Sequence, residues 1–424
     1  MLISFYKKNL NEKKVMNMKS FLEFNFSSEL QKAIDRLGFK NPTSIQEKSI
    51  RMILDGKDVI GESETGSGKT LAFGSGVIEN CFPGKGIQSI ILTPTRELAE
   101  QVKKMLCDLS VYKPLRITAI YGGVSINPQI HALERSDVVV ATPGRFLDHM
   151  FRNTIDTTKV KIVILDEADR MFDMGFIDDV EKIIKECPNR SQTIFFSATI
   201  SKKIKELAKK YMTKPEYVLT NNQVDPSKLK QYYYDVSGNL KLSLLLHLIK
   251  QETSGLIMVF CNTRKNTDFV VKFLRQNRID AIAIHGGFTQ DKRTKTLDMF
   301  NKGKMEVMVC TDVAARGLHI NNVSHVYNYD LPKDPTDYVH RIGRTARAGE
   351  SGKVINLLSN FDYDNFSKIM NEFRDFRIEK LQKPSFPKIM FKMENDYNRN
   401  KGPYRTRSNS PPRQRGRGQG YKRQ

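Results

Sequence analysis

Short, continuously apolar runs alternate with amphipathic stretches along most of this chain. The runs fall at residues 59–60, 89–93, 117–121, 138–141, 161–165 and 192–196, and again at 256–260, 281–284, 307–310, 323–329 and 353–358. A strand that is apolar throughout, rather than at every second residue, is buried on both faces. The pattern therefore predicts parallel sheets with helices packed on each side, an α/β fold. Helical spacing begins before the first strand, where Leu30, Ala33, Ile34 and Leu37 share one face and Gly38 ends the helix.

A polar stretch at residues 221–229 interrupts the alternation and reads as a linker. Two α/β domains of similar size are thus expected, at residues 19–220 and 230–384. They share architecture but not sequence. Residues 1–18 are Lys- and Asn-rich and read as a mobile arm, and residues 385–424 as a basic tail, Arg/Gly-rich at its end and disordered by composition. A length of 424 residues agrees with this division, on a scale of about 150 residues per domain.

Composition narrows the classes of function. With 39% hydrophobic and 27% charged residues the chain is of soluble type. No stretch approaches the roughly 20 apolar residues of a membrane span. The apolar opening Met1-Leu2-Ile3 is too short for a signal peptide, so a cytoplasmic protein is expected, with no membrane partner. Five scattered cysteines with no C-x-x-C pair argue against a disulfide framework or zinc site. The net charge of +22 points to a polyanionic partner, although a merely solvated basic surface stays open for the body of the chain. Nine of those charges lie in residues 397–424, which hold no acid.

The candidate chemistry starts at Ser63-Glu64-Thr65-Gly66-Ser67-Gly68-Lys69-Thr70, between the run at 59–60 and a helical pattern. Strand, glycine turn and helix N-terminus together suit a nucleotide phosphate. The glycines let the backbone aim N–H groups inward, Lys69 reaches the β- and γ-phosphates, and Thr70 ligates Mg²⁺. Ser63 stands where the general pattern has its first glycine, and a chance Gly-rich turn is the alternative on this octet alone. Asp166-Glu167-Ala168-Asp169 follows the strand at 161–165, where ligands of open α/β sheets sit. There Asp166 is placed to hold Mg²⁺ through water, and Glu167 to orient or deprotonate the attacking water. Ser197 and Thr199 offer hydroxyls at the same sheet edge. In His340-Arg341-Ile342-Gly343-Arg344-Thr345-Ala346-Arg347, Arg344 and Arg347 would face one way on a helical turn, suited to a γ-phosphoryl transition state. A basic surface helix is the alternative.

Further segments complete a family pattern. Phe21 and Gly38-Phe39-Lys40-Asn41-Pro42-Thr43-Ser44-Ile45-Gln46 resemble an adenine-reading Q motif. Pro94-Thr95-Arg96-Glu97, Gly122-Gly123 and Thr142-Pro143-Gly144-Arg145 resemble RNA-backbone motifs, as do Phe260-Cys261-Asn262-Thr263-Arg264, Gln290-Asp291-Lys292-Arg293 and Thr311-Asp312-Val313-Ala314-Ala315-Arg316-Gly317. In this order, over residues 21–381, they resemble the DEAD-box ATP-dependent RNA helicases.

The resemblance implies two tandem RecA-like domains acting on ATP and Mg²⁺, an RNA-stimulated ATPase that closes on RNA and opens short duplexes. Gln46 would pair with adenine, with Phe21 and Phe39 stacking or packing beside it. Lys69, Glu167, Arg344 and Arg347 would be catalytic, and Asp312 would join the ATP site. Asp169, Ser197, Thr199 and His340 would couple the two ligands. Pro94, Thr95, Arg96, Gly122, Gly123, Thr142, Arg145, Arg264, Gln290, Arg293 and Thr311 would meet the RNA backbone with little sequence preference. A monomer, with RNA-processing or ribosome-assembly proteins as partners, fits the family. An ATP-gated RNA clamp would use the same motifs. His319 departs from the pattern, which usually has an Asp on the ribose there.

Overall fold

A computed structural model describes residues 20–63, 66–220, 229–252, 255–315, 320, 323–345 and 352–390. Seven strands form the first sheet: β1 (Val59–Glu62), β2 (Ser89–Leu92), β3 (Ile117–Ile120), β4 (Val138–Ala141), β5 (Ile162–Asp166), β6 (Gln192–Ser197) and β7 (Glu216–Leu219). Their order is β3-β4-β2-β5-β6-β1-β7, and every pairing is parallel. The second sheet comprises β8 (Leu229–Asp235), β9 (Leu256–Phe260), β10 (Ala281–Ile284), β11 (Val307–Cys310), β12 (Val323–Asn328), β13 (Gly352–Leu358) and β14 (Ile378–Lys380). It is also parallel and runs β10-β11-β9-β12-β13-β8-β14, the first order repeated strand for strand. This is the tandem RecA-like architecture that the motifs implied.

Alternate residues of single strands enter different cores, which is why the runs are apolar throughout. On one face of the first sheet Val59, Ile91, Val138, Val140, Ile162, Ile164, Ile194 and Phe196 meet the helices Ser44–Leu54, Lys69–Asn80 and Arg96–Leu109. On the other, Ile60, Leu92, Val139, Val163, Leu165 and Phe195 meet Pro143–Phe151, Ile177–Lys185 and Lys202–Tyr211. Fully burying one such side chain contributes about 1.5–3 kcal/mol. The C-terminal ends of the strands, and the loops leaving them, form one edge where the candidate residues gather.

Four features differ from the reading of the sequence. Strands β7, β8 and β14 were not expected, and β8 opens at Leu229, the last residue of the segment read as a linker. The helix Pro335–Ile342 stops before Arg344, which therefore lies outside it. The physical reason is Thr345, which bridges to Val323 and donates its hydroxyl to Val323 O at 2.6 Å, drawing the backbone out of the helix. Ordered chain also continues past Pro384, since the Phe386 ring packs on His247 with centroids 5.8 Å apart. Residues 1–18, 221–228 and 391–424, together with Glu64, Thr65, His319 and Arg347, lie outside the described residues.

Candidate nucleotide and RNA site

The phosphate loop is built jointly by β1, the helix Lys69–Asn80 and the helix Ser44–Leu54. Gly66 and Gly68 take φ of 87° and 96°, a region open mainly to glycine. A side chain on Gly68 would also strike the Gln46 amide. Gln46 is buried; its Oε1 accepts from Thr43 N–H at 2.9 Å and its Nε2 donates to Gly68 O at 3.0 Å. Thr43 Oγ1 donates to Ser67 O at 2.7 Å, so the Q segment and the loop are tied directly. One lone pair and one hydrogen of the Gln46 amide are left for a base edge. Phe21 is buried in the core, so it packs rather than stacks, and Phe39 is half-buried against the same cluster. Lys69 is buried and donates from Nζ to Ser63 O at 2.9 Å. Ser63 Oγ bonds Ser67 Oγ, and Thr70 is half-buried on the first turn of the helix.

Asp166 closes β5, and the chain then turns sharply through Glu167, which has φ 56° and ψ 52°. A non-glycine residue held there is strained by roughly 1–3 kcal/mol, a cost often met at active sites. Both carboxylates are buried, and Asp166 Oδ1 has no hydrogen-bond partner. Burial pushes the Asp166 carboxyl up to about 6, opposed by Lys69 and reinforced by Glu167. Glu167 lies 3.3 Å from Arg170, also buried. Asp169 reaches the end of β6, where its Oδ2 accepts from Ala198 N–H and Thr199 N–H at 3.1 Å each. Its own N–H donates to Ser197 Oγ at 3.2 Å, so Asp169, Ser197 and Thr199 form one cluster.

The second sheet supplies cations. Arg341, 1% exposed, grips Asp312 with two bonds of 2.6 and 2.7 Å. It also donates to Asn328 Oδ1 at 2.9 Å, Asn262 Oδ1 at 3.0 Å and Asp330 O at 2.5 Å. The Asp312 carboxylate is therefore held by Arg341. Arg344 is buried beside it. Arg170 of the first sheet lines one cleft with Asp312, Asp337, His340, Arg341 and Arg344 of the second. His340 belongs to that lining rather than to the Asp169 cluster, and its Nδ1 makes no hydrogen bond.

Loops at the same edge carry the residues expected to meet RNA. The Arg96 guanidinium lies so close to Gly123, at φ 79°, that a Cβ there would collide with it. Thr95 caps the Arg96–Leu109 helix, accepting from Leu98 N–H at 3.3 Å, and Pro94 is buried before it. Thr142 precedes the helix Pro143–Phe151, and Arg145 donates to Val124 O at 3.0 Å beside Gly122 and Gly123. Arg264 lies against Gly286, Thr311 is buried after β11, and Gln290 opens the helix Gln290–Asn301. Arg293 already has partners within the protein. Its Nε stands 2.9 Å from Glu97 Oε1 and its Nη2 donates to Ala314 O, so a carboxylate of the first sheet's helix already meets its charge.

A DEAD/DEAH box helicase model matches residues 43–207, and a helicase conserved C-terminal domain model matches residues 240–349. The chain is 44% identical over 343 residues to the DEAD-box ATP-dependent RNA helicase CshA of Bacillus subtilis, covering 80% of this chain and 69% of that one. It belongs to the DEAD-box ATP-dependent RNA helicases. The ATP-dependent RNA helicase CshA of Listeria monocytogenes is 41% identical over 372 residues, 87% of this chain and 71% of that one. Saccharomyces cerevisiae Dbp5 bound to RNA and ADP BeF3 superposes with a TM-score of 0.78 at 32% identity, covering 86% of this helicase and 95% of that chain.

Three residues of this DEAD-box helicase that sequence reasoning left without a role are Glu97, Arg170 and Arg341. Glu97 and Arg341 lie inside motifs and Arg170 directly follows one, but each has a partner that is distant in the chain or at an unremarkable spacing. Glu97 and Arg293 join the two sheets' helices at a buried pair, 7% and 15% exposed. Glu97→Gln is expected to raise the RNA concentration for half-maximal ATPase several-fold, the scale of an ion pair contributing about 1 kcal/mol. Arg293→Gln should do the same, and the double variant should be little worse than either alone. RNA titrations of steady-state ATPase test this; fully additive losses would mean the pair does not act as a unit.

Proposed function

We propose that this helicase hydrolyses ATP in the cleft between its two sheets when RNA holds them together, and that closure opens short duplexes locally. The observation that carries this reading is the shared cleft, where Arg170 from the carboxylate turn faces Asp312, His340, Arg341 and Arg344. Residues 20–220 and 229–387 act as the two bodies, joined by 221–228. In this reading Lys69 leaves Ser63 O for the β- and γ-phosphates, Gln46 reads adenine, and Arg344 with Arg347 meets the γ-phosphate. Glu167 orients the attacking water and takes up its proton.

The residues present fit Mg²⁺. Asp166 offers a buried carboxylate oxygen without a partner, beside the loop that carries Thr70. Among the described residues no group of three or more His, Cys, Asp or Glu could hold a metal alone, so nucleotide oxygens and water would complete the shell. Bound Mg²⁺ would neutralise charge on the β- and γ-phosphates. Asp166 and Thr70 would hold it.

RNA contacts run to the backbone through Arg96, Arg145 and Arg264, with little base preference. No helix among the described residues is long and apolar enough to cross a membrane. A cytoplasmic monomer working with proteins of RNA processing or ribosome assembly fits this reading. The basic tail adds affinity: deleting residues 397–424 removes nine positive charges and should flatten the salt dependence of RNA binding. Single strands lose about 0.7 log unit of affinity per log unit of salt for each phosphate neutralised. RNA affinity across a salt series measures the slope; an unchanged slope would mean the tail serves another partner. Strand displacement measured beside ATPase tests the reading as a whole. Displacement of a short duplex supports it, whereas hydrolysis and tight binding without displacement would favour an ATP-gated clamp.

A further inference from the structure

The ladder of the first sheet releases the chain just before a loop expected to meet RNA. Ile120, the last residue of β3, accepts from Thr142 N–H at 3.0 Å. Tyr121, Gly122, Gly123, Val124 and Ser125 then lead to the short helix Asn127–Leu133. Among the described residues these five make no hydrogen bond to another backbone group, so side chains hold the loop. Two of them grip its carbonyls: Gln129 Nε2 donates to Tyr121 O at 3.1 Å, and Arg145 Nη2 donates to Val124 O at 3.0 Å. The Tyr121 hydroxyl donates to Glu100 Oε1 at 2.7 Å, which fixes the ring.

Gln129 is itself held. Its Oε1 stands 3.4 Å from His149 Nε2, and His149 Nδ1 stands 2.8 Å from Thr154 Oγ1. Both Gln129 and His149 are buried, His149 completely. A carbonyl only accepts, so the Gln129 group facing Tyr121 O is the NH₂ and the atom facing His149 is the oxygen. His149 Nε2 must then carry a hydrogen, and Nδ1 accepts from the Thr154 hydroxyl. Burial, with Arg145 nearby, holds the imidazole below its ordinary value and favours this neutral form. Donors therefore run one way, from Thr154 through His149 and Gln129 to Tyr121 O. His149 lies four residues after Arg145 on the helix Pro143–Phe151, so one helix face governs both ends of the loop.

We propose that Gln129 and His149 are positioning residues that hold the Gly122–Gly123 turn in the shape that receives the RNA backbone. The inference rests on the reading that this loop meets RNA. RNA treats the two carbonyl ties differently. Arg145 is a cation at the RNA edge, and a phosphate that draws its guanidinium away releases Val124 O. Gln129 and His149 are buried and neutral, so their hold on Tyr121 O persists. A loop with two adjacent glycines has much conformational freedom to lose on binding, and a hold already in place lowers that cost. Without the relay the cost falls on RNA affinity. The relay makes no part of the nucleotide site, so hydrolysis at saturating RNA is untouched.

The test uses Gln129→Glu, which keeps the size and the bond from His149 but turns an acceptor toward Tyr121 O. His149→Leu removes the donor to Gln129, and His149→Gln retains one. For each full-length protein, steady-state ATPase is titrated with a single-stranded RNA and with ATP, alongside the melting temperature. Gln129→Glu and His149→Leu should raise the RNA concentration for half-maximal ATPase about five- to tenfold, the scale of one buried hydrogen bond. The rate at saturating RNA, the RNA-free rate and the ATP half-saturation should stay at wild-type values, and His149→Gln should match the wild type throughout. Gln129→Met replaces the Glu variant if that one does not fold. An unchanged RNA requirement in Gln129→Glu, equal losses in His149→Gln and His149→Leu, or a fall confined to the saturated rate overturns the proposal. Arg96→Ala separates the two layers. An unchanged RNA requirement there means the reading of this loop as an RNA contact fails; a raised one there with Gln129→Glu unaffected removes only the relay.

Discussion

Glu167→Gln is expected to bind ATP and RNA as the wild type does and to hydrolyse ATP about 10²–10⁴-fold more slowly, the usual scale for losing a general base. The substitution is nearly isosteric in a site that is closely filled. Glu167 is 3% exposed and fixed by its turn, with Arg170 3.3 Å away, so Gln occupies the same space. What it loses is the charge that orients water and accepts a proton. Because binding and closure persist, the variant should stay on RNA with ATP bound. Lys69→Ala makes the contrast. It removes the cation beside the phosphates, so ATP binding itself should fall and RNA retention with it. Measured kcat, ATP affinity and RNA dissociation rate separate the two; equal loss of ATP binding in both variants would contradict the assigned roles.

Arg341→Ala is expected to be the most damaging substitution for stability of the second sheet's domain, at roughly 3–5 kcal/mol for breaking a buried ion pair from one side. The guanidinium satisfies the Asp312 carboxylate, two Asn side chains and the Asp330 carbonyl at once, and stacks 5.0 Å over the Phe260 ring. Removing it leaves those acceptors facing a void between β9, β12 and the helix Pro335–Ile342. Arg341→Lys should rescue little, because an ammonium cannot reproduce the planar fork. Thermal unfolding should shift down by about 2–4 °C for each kcal/mol lost in a domain of this size. A melting temperature within a degree or two of the wild type would show that the network is relaxed by water instead.

Most of the fold was legible because the interior strands are buried on both sides. Ile162, Val163, Ile164 and Leu165 face two different cores in turn, which is what an unbroken apolar run means. The missed strands lack that signature for a physical reason. β7 and β14 are sheet edges: Tyr217 and Leu219 are 43% and 47% exposed, and β14 reads Ile-Glu-Lys. β8 mixes Lys230 and Gln231 with three tyrosines and carries no apolar run. The site was legible where a motif combines local geometry with chemistry, as at Gly68 and Lys69 or Asp166 and Glu167. It was not legible where a side chain's partner comes from elsewhere in the chain. Nothing in the spacing of Arg293 announces Glu97 against it, and Arg341 looks like one arginine of a basic helix until Asp312, Asn328 and Asn262 surround it. The helix end before Arg344 depends on Thr345 finding Val323, a pairing that no local spacing announces.

The central claim is that ATP and RNA each favour the same closed arrangement of the two domains. Reciprocity follows: whatever factor RNA contributes to nucleotide affinity, nucleotide must contribute to RNA affinity. The direct measurement is the full thermodynamic square, with the affinity for a non-hydrolysable ATP analogue determined with and without RNA, and the affinity for RNA determined with and without the analogue. The expected result is one common factor, roughly 5–150-fold, in the range of ordinary site-to-site coupling. Affinities that are independent of the other ligand would contradict the account.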